Sequence, residues 1–204
     1  MEGSRDVVAE AADRSRSGGL RAVLLGAPGS GKGTQAEFLA ASLGVPAIST
    51  GAMLRDAVAH GSALRSKLEG IMACGRLADD ALMAEVVRER LGRPDAAGGF
   101  LLDGYPRTTG QAAMLDSILA ERQEQLDAVL LLEVPEAVLV ERAVARKRAD
   151  DGEEVVRERL RVYREKTEPL VEHYERRNLL RRVDGNRTMR EVTAASLKML
   201  GRQA

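Results

Sequence analysis

Aromatic side chains are scarce: the 204 residues include two phenylalanines, three tyrosines and no tryptophan. A platform for stacking the bases of single-stranded nucleic acid therefore lacks its main ingredient. The core has to be assembled from Leu, Val, Ala, Ile and Met. Net charge is absent as well, because 31 lysines and arginines balance 31 aspartates and glutamates. No global field draws the chain to nucleic acid or to an anionic membrane. Cysteine is nearly missing. A single Cys74 excludes an internal disulfide and a cysteine-built zinc site, and the distant His60 and His173 supply no cluster in its place. No apolar run approaches the length of a membrane span, and no secretory apolar region precedes the first strand. These absences predict a soluble, cytoplasmic protein in a reducing compartment, with no nucleic-acid or membrane partner.

What is present is an alternation of apolar runs and helical patterns from Leu20 onward. Residues 1–19 mix Glu, Asp, Arg, Ser and Gly and read as a frayed tail. Acidic Glu2, Asp6, Glu10 and Asp13 argue against a transit peptide. The first apolar run ends in Val23-Leu-Leu25 and enters the loop Gly26-Ala-Pro-Gly-Ser-Gly-Lys-Gly-Thr34, after which a helical pattern runs from Gln35 to Leu43. Strand, glycine loop and helix in this order cradle phosphate. Glycines bring backbone N–H groups close to phosphate oxygens, and the first helical turn adds unpaired donors and the positive end of its dipole. Lys32 supplies a mobile charge. Gly33 stands where Ser or Thr commonly follows the lysine, and the hydroxyl comes one place later at Thr34. Direct ligation of Mg²⁺ by a loop hydroxyl is therefore not expected. The plain alternative is a glycine-rich turn before a helix; the flanking strand and helix favour the phosphate loop.

Further along, Pro46 to Thr50 predicts a short strand, and Gly51 to Ala59 a helix with Ser49 or Thr50 near its cap. Ser62 caps a stretch through Ala73 that Gly75 ends, and Asp79-Asp80 opens a helix with the apolar stripe Leu82, Val86, Val87 and Leu91. Gly98 to Asp103 predicts a strand that ends in a carboxylate, where open α/β sheets place ligand chemistry. Thr109 to Glu124 reads as a helix with Met114, Leu115, Ile118 and Leu119 inward, and Ala128 to Val134 as a strand covered on both faces. Pro135 starts a helix to about Arg146, Asp150-Asp151-Gly152 breaks it, and Glu153 to Arg177 reads as one long charged helix. Leu179 to Val183 and a final helix through Leu200 complete the chain. The fold class is α/β: a P-loop three-layer fold with about five parallel strands covered by helices. Residues 20–204 form a single domain.

Four stretches carry a resemblance: Gly26-Ala-Pro-Gly-Ser-Gly-Lys-Gly-Thr-Gln35; Ile48-Ser-Thr-Gly51 with Met53-Leu-Arg55; Phe100-Leu-Leu-Asp-Gly-Tyr-Pro-Arg-Thr108; and Arg148-Ala-Asp-Asp151. In this order they resemble the successive motifs of adenylate kinases, the short-lid nucleoside monophosphate kinases, over nearly the whole chain. The resemblance implies a Mg²⁺-dependent, reversible transfer of the ATP γ-phosphoryl group to AMP; a monomer is expected, because a small two-substrate kinase with mobile lobes needs no subunit interface. It implies that Gly29, Ser30, Gly31, Lys32, Gly33 and Thr34 hold the ATP phosphates, with Lys32 following the migrating group. Arg107, Arg142, Arg146, Arg148 and Arg159 would converge on the phosphates of both substrates, and Arg187 would border the ATP adenine. Asp103 would orient waters around Mg²⁺, with no direct protein ligand. Thr50, Arg55, Arg76, Leu77, Ala78, Gly104, Tyr105, Pro106, Arg107, Gln111, Arg148 and Arg159 match the AMP pocket, with a small helical lobe at 49–78. Gln111 would read the adenine edge, because an amide offers both a donor and an acceptor.

Phosphoryl transfer asks for positioning and charge stabilisation, so a phosphate loop, a lysine and several arginines suffice without a nucleophilic residue. Taken singly, each arginine reads as an exposed ion pair; together with the loop they read as a phosphate site. Three departures from the family pattern stand out. Ala52 replaces an aspartate, Tyr105 replaces a phenylalanine, and the lid at 145–152 is shorter than the family's short form. A lid this short predicts that little surface moves and that Arg148 reaches from a nearly fixed hairpin. A UMP/CMP kinase shares the loop and arginines, and the Gln111 pocket favours adenine. A nucleotide-binding protein with little turnover has the truncated lid as its hint. The basic patch Arg176, Arg177, Arg181 and Arg182 reads as solvated surface.

Overall fold

The computed structural model describes residues 19–59, 77–145 and 152–202. Strands β1 (Arg21–Leu25), β2 (Ala47–Ser49), β3 (Phe100–Asp103), β4 (Ala128–Glu133) and β5 (Leu180–Asp184) form one sheet in the order β2-β3-β1-β4-β5. Every neighbouring pair is parallel, as the alternation of strands and helices requires. The order puts β1 at the centre, where the direction of winding reverses, and its carboxyl end opens the crevice in which such sheets hold ligands.

The period of two divides each central strand between two cores. Val23, Leu25, Val129 and Leu131 face one layer, while Ala22, Leu24, Leu130 and Leu132 face the other. The first layer is closed by α3 (Asp80–Leu91), α4 (Thr109–Glu121) and α7 (Pro169–Arg176) through Met83, Val87, Leu115, Ile118 and Leu170. The second is closed by α1 (Lys32–Leu43) and α8 (Met189–Met199) through Leu39, Val192 and Leu197. A strand buried on both faces has no polar positions to alternate, which explains the run Ala128-Val-Leu-Leu-Leu132. The remaining helices are α2 (Thr50–Ala59), α5 (Glu136–Ala145) and α6 (Glu153–Val162).

Three sequence expectations are corrected. Helix α1 begins at Lys32, not Gln35, because Gly31 takes a left-handed φ of 89° and turns the chain directly into the helix. Helix α2 begins at Thr50, so Ser49 and Thr50 stand at its start as expected, and their hydroxyls donate to Asp103. The buried stripe of α3 is Met83, Val87 and Leu91, with Leu82 and Val86 only partly covered. Its N-cap is Asp79, whose Oδ1 accepts from the N–H groups of Ala81 and Leu82. The long helix expected from Glu153 to Arg177 is instead α6, a π turn at Tyr163–Thr167, and α7. Pro169 has no N–H to give Glu165 and its ring would meet that carbonyl, so the chain widens there and Glu168 N–H donates five residues back to Tyr163 at 2.9 Å. The tail through residue 18, the helix expected after Ser62, Cys74, and most of the shortened lid lie outside the described residues. No helix among the described residues is long and apolar enough to cross a membrane.

Candidate active site

The loop after β1 is backed by α5. A Cβ on Gly29 would fall 2.2 Å from the carbonyl oxygen of Leu139, and φ there is +88°. Only glycine lets the loop lie this close to α5, one turn before Arg142. Lys32 folds over the loop: Nζ donates to the carbonyls of Gly26 at 2.5 Å and Ala27 at 2.9 Å, and lies 3.4 Å from Ser30 Oγ. Its ammonium is thereby kept at the mouth of α1, beside the unpaired N–H groups of the first turn.

Asp103 ends β3 in register with Leu24 of β1 and Ser49 of β2. Ser49 Oγ donates to its Oδ2 at 3.1 Å, Thr50 Oγ1 to its carbonyl at 3.4 Å, and a Cβ on Gly33 would lie 3.6 Å from Oδ2. The carboxylate thus lies against the first turn of α1.

Arg107 follows the turn after β3. Its Nε donates to Gly104 O at 2.7 Å, its backbone N–H to Gln111 Oε1 at 2.7 Å, and its carbonyl accepts from Thr167 Oγ1 at 2.9 Å. Arg55 of α2 comes beside it: a Cβ on Gly51 would lie 3.4 Å from Arg55 Nη1 and 3.9 Å from Arg107 Nη2. Burial pushes the Arg107 pKa down; the Asp103 carboxylate opposes that, and the neighbouring Arg159 and Arg55 add to it. A guanidinium remains charged despite such a shift; the direction registers its burial first, and an anion bound beside Arg107, Arg159 and Arg55 would offset it. Arg142 on α5 donates to Gly185 O at 3.0 Å and reaches Asn186 Oδ1 at 3.4 Å.

These groups surround one cavity of about 810 Å³. Gly29, Gly31, Lys32, Gly33 and Thr34 line its loop side. Thr50, Arg55, Leu77, Ala78, Gly104, Pro106 and Gln111 line the opposite side, and Asp103, Arg107, Arg142 and Arg159 lie between. Ser30 is buried beneath the loop, and Tyr105 lies behind the wall with its hydroxyl on Gln111 O at 3.1 Å. Arg187 pairs with Asp184 at 2.9 Å outside the cavity lining. Arg76, Arg146 and Arg148 lie outside the described residues.

Sequence reasoning missed Thr167 and Asp80. Thr167 was hidden inside an expected uninterrupted helix; Pro169 was the signal that the helix breaks. Asp80 stands in the sequence only as part of a helix start, yet its Oδ1 accepts from Gln111 Nε2 at 2.8 Å and its Oδ2 from Thr108 Oγ1 at 2.8 Å. Among the described residues no three His, Cys, Asp or Glu side chains come together to hold a metal. Outside the cavity lining, Arg176 pairs with Glu172, Arg177 with Asp116, and Arg182 with Glu133 and Glu175.

Comparisons with known proteins bear on this arrangement. The family model of Adenylate kinase matches residues 24–179. A protein of Nocardia farcinica named Adenylate kinase is 48% identical over 183 residues, which cover 90% of this chain and 100% of that relative. The Adenylate kinase of Sinorhizobium medicae is 46% identical over 191 residues, covering 89% and 100%. Adenylate kinase 1 of a Synechocystis strain is 47% identical over 178 residues, covering 87% and 95%.

Proposed function

The chain belongs to the adenylate kinase family, and from that premise we propose how its residues divide the work of phosphoryl transfer. The reaction moves the γ-phosphoryl group of ATP to AMP and gives two ADP. The observation that carries the assignment of roles is the convergence of Lys32, Asp103, Arg55, Arg107, Arg142 and Arg159 on one cavity.

An oxygen of the AMP phosphate forms a bond to the γ phosphorus while the bond to the β–γ bridging oxygen breaks, and ADP leaves with that electron pair. The attacking phosphate is already ionised at neutral pH, so no general base is required. The loop N–H groups and Lys32 hold the ATP phosphates, Arg55 takes the AMP phosphate, and Arg107, Arg142 and Arg159 stabilise the charge that spreads over the transferring group. The residues present fit a hydrated Mg²⁺: the hard carboxylate of Asp103 lines the cavity against the first turn of α1, and phosphate oxygens would complete the shell. When bound, the ion would neutralise phosphate charge, and Asp103 would hold it through water.

Gln111 contributes its amide to the base. One amide hydrogen goes to Asp80 and one lone pair to Arg107 N–H, which leaves one donor and one acceptor for the adenine edge. The test is a coupled assay of ADP formation from ATP and Mg²⁺ with AMP, GMP, CMP or UMP. Turnover specific to AMP is expected. Turnover with a pyrimidine would replace the substrate by UMP or CMP, and no turnover with any acceptor would leave a nucleotide-binding protein.

A further inference from the structure

We propose that Asp80 is a positioning residue for base selection: its carboxylate locks the Gln111 amide in one of two orientations. The inference rests on the reading of Gln111 as the base-contacting residue.

A glutamine amide can turn over with almost no change of shape, exchanging its oxygen and nitrogen. Such a flip would present a donor where the base meets an acceptor, and the reverse. In this chain both partners of the amide have fixed polarity. The Asp80 carboxylate accepts at 2.8 Å from Nε2, and the Arg107 backbone N–H donates at 2.7 Å to Oε1. A flipped amide would set oxygen against carboxylate and N–H against N–H at the same time. Gln111 is only 2% exposed, so water cannot take over either contact.

The backbone N–H of Arg107 is available whatever side chain stands at that position. The carboxylate is the part the sequence chooses. It is also anchored, because Oδ2 accepts from Thr108 Oγ1 at 2.8 Å, while Thr108 Oγ1 accepts from the Gln111 backbone N–H at 3.0 Å and caps α4. The cap of α3 is supplied by its neighbour Asp79, so the Asp80 side chain is not needed for that purpose. Asp80 lies behind Gln111, outside the cavity lining, and acts through the amide.

Adenine offers a ring acceptor beside an amino donor, whereas the 6-oxo purine of IMP offers a ring N–H beside a carbonyl acceptor. The two monophosphates are nearly isosteric with reversed polarity, so their ratio of kcat/KM reports the orientation of the amide. Asp80→Ala is expected to raise KM for AMP about tenfold with little change in kcat, and to lower the AMP-to-IMP selectivity about tenfold, while KM for ATP stays in place. Asp80→Asn keeps the size of the side chain but lets its own amide turn with that of Gln111. It is expected to lose about threefold or more in selectivity, and it carries the test if the alanine variant does not fold. Added to Gln111→Leu, Asp80→Ala should change selectivity no further. Unchanged selectivity in the folded single variants, or a second equal fall in the double variant, overturns the proposal. If Gln111→Leu alone leaves KM for AMP and the selectivity unaltered, the base-contact reading fails first, and the two failures are told apart.

Discussion

The Thr167 hydroxyl donates to the backbone carbonyl of Arg107 at 2.9 Å, tying a π turn late in the chain to the peptide that carries a cavity-lining arginine. The preceding peptide is held as well, because the Arg107 N–H donates to Gln111 Oε1. Thr167 is 7% exposed, so a valine of the same shape would leave the carbonyl short of a partner. Thr167→Val is expected to cost about 1–3 kcal/mol of stability and to lower kcat/KM by about tenfold. A thermal melt and a steady-state assay read both; a variant unchanged in activity would show that the clamp does not position Arg107.

Gly29 and Gly31 separate backbone strain from steric contact. Both have positive φ, 88° and 89°, so an alanine at either pays about 1–2 kcal/mol for the left-handed conformation. Only at Gly29 does the added methyl meet a carbonyl, that of Leu139, whereas nothing lies within 4 Å at Gly31. Gly29→Ala should therefore push α5 away and disturb Arg142, with a fall in kcat of about a hundredfold against about tenfold or less for Gly31→Ala. Equal losses in the two variants would rule out the contact with α5 as the cause.

Lys32→Met removes the mobile charge while keeping an unbranched side chain in the helix. The expected loss is about 10²–10³-fold in kcat, the scale of removing one donor to developing charge. The melting temperature should move little, since the helix start and the sheet do not depend on the ammonium. Near-normal turnover in this variant would refute the role given to Lys32.

Alkaline stability follows from the tyrosines. Burial is the first cause in each case and pushes Tyr105 and Tyr163 up to about 12 from an ordinary 10.0; it also raises Tyr174, with the Asp116 and Arg177 charges as smaller effects. An unfolded chain loses these protons near pH 10 while the folded chain keeps them, so the unfolded state binds fewer protons there and stability falls as pH rises. The loss starts near pH 10 and continues toward the folded values, at up to about 1.4 kcal/mol per pH unit for each group. All three tyrosines of the chain are in this set and there is no tryptophan, so phenolate absorbance is read cleanly. Ionisation of one or more tyrosines near pH 10 without unfolding would contradict the burial argument.

The aromatic poverty and balanced charge, the glycine loop between an apolar run and a helix, and the acid at the end of Gly98 to Asp103 are local patterns in the chain. They were enough to determine a parallel α/β sheet and the glycine loop between β1 and α1, because strand burial, helix period and glycine conformation act over a few neighbouring positions, whereas the arginines and the Gln111 side of the cavity were legible only through the family resemblance. The phase of the α3 stripe was not legible, since Leu82, Met83, Val86 and Val87 fit a helix equally and only packing against β3 and α4 selects Met83 and Val87. Tertiary structure alone decided the partners of buried polar groups. Asp80 meets Gln111 across 31 positions, and Thr167 meets Arg107 across 60. No local pattern encodes such pairs. They arise because a buried donor or acceptor must find a partner among whatever groups the packed layers bring within reach.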